Sequence, residues 1–199
     1  MEEILEKVSA LYMKYGIKSI TMDDVAKELC ISKKTLYQHF TDKDDLVSKV
    51  VNYMLVQNDC DLSLLKNPEY NAIDVLLVIS KKLNEIFKNI NPATSYDLKK
   101  YHPKVWKEFV TSRRQHIFEH ISENILKGIE QGLYREDFNI NIIASLYVAR
   151  MEMGMDKDLE MIEEYDFEEI FNTIFIYHIR GIANAKGIKY LEDKIKNHL

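Results

Sequence analysis

Residues that break helices are scarce in this sequence. Its 199 residues include 6 Gly and 3 Pro, too few for the many turns of a sandwich or barrel, which leaves helices. Cysteine is scarcer still. Cys30 and Cys60 show neither metal-ligand spacing nor a disulfide framework, so a reducing compartment is expected. No apolar run approaches the ~20 residues that a membrane-crossing helix needs. Met1-Glu2-Glu3 is acidic where a secretory leader would be basic. A soluble, cytoplasmic protein with no membrane partner is therefore expected. Positive charge is not in excess either: the net charge is -5, which argues against wholesale coating of nucleic acid. The first fifty residues hold eight Lys against nine Asp or Glu. Any cationic face must be segregated onto one surface. Phosphate-binding glycine loops and nucleophile motifs are also lacking, so neither an enzyme nor a cofactor is expected.

Helical periodicity is what the chain does have. Ile4, Leu5, Val8, Leu11, Tyr12 and Tyr15 recur at helical spacing, and Gly16 follows as a stop. Thr21-x-x-Asp24 reads as a capping box, with Ile20 and Val25 as its hydrophobic staple. Ser32 is the next N-cap, stapled by Ile31 and Leu36. Thr41-x-x-Asp44 predicts a third box, opening a helix through Leu46, Val47, Val50, Val51 and Met54. Three starts in about twenty residues predict a bundle of short helices that depend on shared packing.

Further on, the pattern weakens over residues 59–67. Asn67-Pro68 predicts a cap and first helical residue. Breaks are expected at Asn91-Pro92 and His102-Pro103, then a long helix from Val105 to Ile129 closed by Gly132. Further helices are expected over 140–155, 167–185 and 190–199. No strand or repeat is evident, so the expected fold is all-α.

The stretch TMDDVAKELCISKKTLYQHF, Thr21 to Phe40, carries the chemistry. Two short helices separated by a three-residue turn suit a helix-turn-helix, whose second helix meets base edges through its first turn. Lys33 and Lys34 lie in that turn, where helix N–H groups also attract phosphate. Lysine can donate to guanine, and Thr35 can meet a thymine methyl or a polar edge. Tyr37, His39 and Lys43 are spaced to reach phosphates, as is Thr21 at the start of the supporting helix. Ser32 and Gln38 complete the candidate DNA-contact set.

Together these residues resemble the N-terminal DNA-binding domain of the TetR family of bacterial transcriptional regulators. The likeness covers Ile4 to Met54 and rests on Thr21, Val25-Ala26, the turn, Thr35-Leu36-Tyr37, His39-Phe40, Lys43 and Leu46. Gly128-x-x-x-Gly132-x-x-Arg135-x-Asp137 is a weaker echo. Many members carry a small residue or proline where this chain has Lys34. The resemblance implies an all-helical homodimer, a repressor released from double-stranded operator DNA by a small-molecule effector. It implies a DNA-binding domain over 1–48 and a helical effector-binding and dimerisation domain over 49–199. It also implies phosphate contacts for Tyr37 and His39.

Tyr96, Tyr101, Trp106, Phe109, Arg113, His116, Tyr147 and Met151 are candidates for the effector pocket, which needs an apolar wall with a few polar groups. The last two long helices are apolar on more than one face. Ile143, Tyr147, Phe171, Ile174, Phe175, His178 and Ile182 are candidates for a two-fold interface. Met151, Met153 and Met155 read as core or interface filler, and Cys30 as a small buried apolar residue. His116 and His120 lie one helical turn apart, but no third ligand stands at a telling spacing, so no metal is expected. A helical metal-binding protein or enzyme using that pair is the alternative, as is an adaptor that has lost DNA binding.

Overall fold

Helix follows periodicity through most of the chain. The structure, a computed structural model, describes residues 1–57, 62–89, 93–153 and 167–196. Its helices are α1 (Glu2–Tyr15), α2 (Met22–Glu28), α3 (Lys33–His39), α4 (Lys43–Gln57), α5 (Leu62–Lys66), α6 (Ala72–Asn89), α7 (Ala93–Tyr101), α8 (Pro103–Glu130), α9 (Ile140–Met153), α10 (Phe167–Ile182) and α11 (Ala185–Lys196). Among the described residues there is no strand; one isolated bridge joins Tyr134 to Ala183. None of these helices is long and apolar enough to cross a membrane. The fold is all-α. Cys60, the Asn91-Pro92 break, Gly154, Met155 and the end of the chain from 197 lie outside the described residues.

The chain divides into two compact units, Met1–Asp59 with Ile86–Arg113 and Cys60–Glu85 with Arg114–Leu199. Packing thus gives the first unit more than residues 1–48. Its core is Leu5, Val8 and Tyr12 of α1, Val25 and Ala26 of α2, Leu36 and Phe40 of α3, and Leu46, Val47 and Val50 of α4, with Leu98 of α7 and Val105 of α8. Helices of two turns are marginal alone. Burial of each such side chain contributes roughly 1.5–3 kcal/mol, which is what holds α2 and α3. Asp97 of α7 accepts from the Lys18 backbone N–H at 2.8 Å, and buried His102 lies 2.5 Å from Asp44 of α4.

Caps decide where helices begin, and some differ from expectation. The Thr21–Asp24 box forms as expected. The box expected at Thr41–Asp44 is displaced by one residue. The Asp45 N–H donates to Asp42 Oδ1 at 2.8 Å, and the Thr41 N–H donates to Asp45 Oδ2 at 2.9 Å. Asp44 is thereby left for His102. Asn67-Pro68 does not start α6. It makes a turn, with Asn67 Oδ1 accepting from the Glu69 N–H. Asn71 is the cap, accepting from the Ile73 and Asp74 N–H groups at 2.9 and 3.0 Å. The helix expected over 167–185 stops at Ile182, because Asn184 caps α11 through the Lys186 and Gly187 N–H groups. That start precedes the expected residue 190.

In the second unit Ile73, Leu76, Ile121, Ile125, Tyr134, Tyr147, Phe175, Ile179 and Leu191 are buried. Polar ties fix their register. Asn124 donates to the Ala72 carbonyl at 2.8 Å and its Oδ1 accepts from the Tyr134 hydroxyl at 3.2 Å. Asp74 holds the Tyr190 hydroxyl at 2.8 Å and Lys194 at 3.0 Å. A Cβ on Gly128 would stand 2.0 Å from the Tyr134 ring, and one on Gly187 would stand 2.2 Å from the Leu133 carbonyl oxygen. Both positions need a residue without a side chain.

Candidate nucleic-acid interface

The turn between α2 and α3 is closed by backbone bonds. The Cys30 N–H donates to the Lys27 carbonyl and the Ile31 N–H to the Ala26 carbonyl, each at 3.0 Å. The chain must turn left-handed there, and Cys30 does so at φ 54. This corrects the expectation of a buried Cys30: the residue is exposed, because the backbone conformation that makes the turn directs its side chain outward. Ser32 then caps α3, its hydroxyl oxygen accepting from the Thr35 N–H at 3.0 Å and lying 2.8 Å from the Thr35 hydroxyl. Leu36 and Phe40 anchor the helix from beneath.

The outer face of α3 carries the sequence candidates. Ser32, Lys33, Lys34, Gln38 and His39 are exposed, Thr35 is half-buried, and Tyr37 is 49% exposed. Lys33 Nζ pairs with Asp23 Oδ1 of α2 at 2.5 Å, a hydrogen bond that raises the ammonium pKa. Such exposed pairs contribute little to stability and yield readily to a phosphate. Two other candidates are more committed. The Thr21 hydroxyl donates to Asp24 Oδ2 at 2.6 Å, and the Thr21 N–H donates to the same oxygen at 3.0 Å. Lys43 Nζ donates to the Ile17 carbonyl at 2.8 Å, and its partial burial lowers its pKa. Both serve the α1–α2 loop and the start of α2.

Residues 4–50 match the family model described as bacterial regulatory proteins, tetR family. The chain thus carries a TetR-type helix-turn-helix domain at its N-terminal end. It is a DNA-binding transcriptional regulator. Over 92% of its length it is 22% identical to YvaF of Bacillus subtilis, an uncharacterised HTH-type transcriptional regulator, covering 95% of that protein. A transcriptional regulator from Cytophaga hutchinsonii has the same fold, with a TM-score of 0.76 at 20% identity over 92% of this chain and 98% of that one. So does a regulator from Saccharomonospora viridis solved with choline, with a TM-score of 0.68 at 17% identity over 91% and 96% of the two chains.

The TetR likeness says less about the other candidates, which the structure distributes. Tyr96, Tyr101, Trp106, Phe109 and Arg113 belong to the first unit, and His116, Tyr147 and Met151 to the second. Tyr96 and Tyr101 are exposed and carry lysines. Lys18 Nζ lies 5.0 Å from the Tyr101 ring centre and Lys100 Nζ 5.1 Å from that of Tyr96. Trp106 and Phe109 pack together, and Arg113 lies over Phe109 at 5.6 Å. The His116 and His120 rings are 6.2 Å apart. No group of three metal-ligating side chains occurs among the described residues.

The candidate interface residues divide differently. Tyr147, Phe175, His178 and Ile182 are buried, while Ile143 and Ile174 are half-buried. Phe171 lies on α10, but its side chain is outside the described residues. The apolar side chains that α9 and α10 turn outward are Ile142, Leu146 and Tyr177, at 58%, 51% and 68% exposure. Helices apolar on several faces do not say in sequence which face the unit itself buries. Sequence reasoning missed the long-range ties of Asp97 and His102, for which no local spacing is a signal.

Proposed function

We propose that two copies of this chain bind double-stranded operator DNA as a repressor, and that a small-molecule effector releases them. The observation that carries the DNA part is the outward first turn of α3, with Lys33, Lys34 and Thr35 beside exposed Tyr37 on a packed scaffold. Lys33, Lys34 and Thr35 read bases. Ser32, Tyr37, Gln38 and His39 contact phosphate and sugar. Thr21 and Lys43 present the loop that flanks them. Two-fold pairing uses the outward stripe of Ile142 and Leu146 on α9 with Ile174, Tyr177 and the exposed Gly181 on α10. A surface row of large apolar side chains of this kind marks a protein contact. The second unit senses the effector. Binding favours a dimer whose recognition helices no longer span half-sites about 34–36 Å apart. No catalysis is assigned.

Recovery of bound genomic fragments tests the reading, with an inverted repeat as the expected result. On such a fragment, Lys33→Ala with Tyr37→Phe lowers affinity. Unchanged affinity in that double variant favours an adaptor over a DNA reader. An effector that binds tightly and leaves operator affinity unaltered refutes the release mechanism.

A further inference from the structure

A cluster of polar atoms without partners lies where α9 and α10 pack within the second unit. His178 is 1% exposed, and neither of its ring nitrogens has a hydrogen-bond partner. Arg150 Nη1 is also buried without a partner. The Arg150 Nε–H donates weakly to the Leu146 carbonyl at 3.4 Å, and its guanidinium lies 5.1 Å from the Tyr177 ring centre. No carboxylate pairs with Arg150 among the described residues. Buried charge is ordinarily paired, and buried polar atoms are ordinarily bonded. Several exceptions on facing helices therefore point to a ligand.

The surroundings define its chemistry. The Tyr147 ring centre is 4.5 Å from that of His178 and 5.9 Å from that of Phe175. Met151, one turn along α9 from Tyr147, is buried too. Burial, and then the charge of Arg150, push the His178 pKa down to about 3, so the imidazole is neutral and offers one N–H. The guanidinium disfavours a cation. A guanidinium and an imidazole N–H are both donors, the chemistry that a carboxylate's two acceptor oxygens require, and the aromatic and thioether neighbours suit an apolar tail.

We infer that Arg150 and His178 form a recognition site for an apolar monocarboxylate, with Tyr147, Phe175 and Met151 against its tail. The inference rests on the effector reading and gives that effector a chemical class. The contrast with the choline-bound relative is one of charge.

Calorimetric titration of the full-length chain with benzoate and octanoate tests it, with benzamide and octanamide as neutral counterparts. A carboxylate binds at least tenfold more tightly than its amide, and Arg150→Gln and His178→Gln each lose that preference. Arg150→Lys, which keeps the charge, retains part of it, and the His178 ring resonances shift on addition of the tight-binding acid. Equal affinity for acid and amide overturns the inference. So does failure of both acids to bind a chain that still binds DNA, or full affinity in the two Gln variants. Calorimetry reads the site without DNA, so the two readings fail separately. An acid that binds through Arg150 and His178 without releasing operator DNA refutes only the effector role. A neutral compound that releases DNA equally well from the Gln variants refutes the carboxylate class given to the effector and leaves release itself standing.

Discussion

Acid should weaken this fold through the His178 imidazole. His178 is buried at 1% exposure with no hydrogen-bond partner on either nitrogen, and its pKa in the folded chain is lowered from 6.5 to about 3. The unfolded chain therefore binds a proton between these values and the folded chain does not. Stability from this group is complete above pH 6.5 and is lost as pH falls, by about 1.4 kcal/mol per pH unit, until pH 3. Between pH 7 and pH 5 linkage gives a loss of about 2 kcal/mol. That figure depends almost wholly on the unfolded value, since pH 5 lies well above 3. His178→Leu removes the titration, and it also removes two unbonded polar atoms, so its stability at pH 7 should equal or exceed that of the parent chain. Urea unfolding at fixed protein concentration, followed by helical circular dichroism at both pH values, measures the difference. The parent loses about 2 kcal/mol more than the variant on acidification. Losses that agree within about 0.5 kcal/mol, the scatter of such extrapolations, would refute the reasoning.

Gly187→Ala places a methyl 2.2 Å from the Leu133 carbonyl oxygen and should cost about 1–3 kcal/mol by overpacking, read as a lower midpoint in the same urea titration. Cys30→Gly relieves a left-handed residue at φ 54 and should stabilise by about 0.5–1 kcal/mol, the strain outweighing the added chain entropy; a lower melting temperature contradicts this. Lys34→Gln on the front of α3 should reduce the slope of log affinity against log salt by about 1 on operator DNA. An unchanged slope means that Lys34 stays in solvent.

Short-range features were legible because their physics is short-range. Thr21 and Asp24 lie three residues apart in sequence and close a box in space, and Ser32 reaches only to Thr35. The Thr41 expectation failed by one residue because Asp42, Asp44 and Asp45 are chemically equivalent as caps. A distant partner, His102, engages Asp44 while Asp42 and Asp45 take the cap. On α9 and α10 the same ambiguity applies to faces. Sequence showed them apolar on more than one face, and only packing revealed that Tyr147, Phe175 and His178 turn inward while Ile142, Leu146 and Tyr177 turn outward.

Sequence by itself determined the all-α class, the caps of α2 and α3 and the cationic first turn of α3, since helix periodicity and capping act over three or four residues. Tertiary structure alone decided that Lys43 serves the Ile17 carbonyl, that α7 and the start of α8 join the first unit, and that both His178 ring nitrogens and Arg150 Nη1 are buried without hydrogen-bond partners. Those outcomes depend on groups tens of residues apart along the chain, and only the folded packing brings such groups within bonding distance or leaves them out of it.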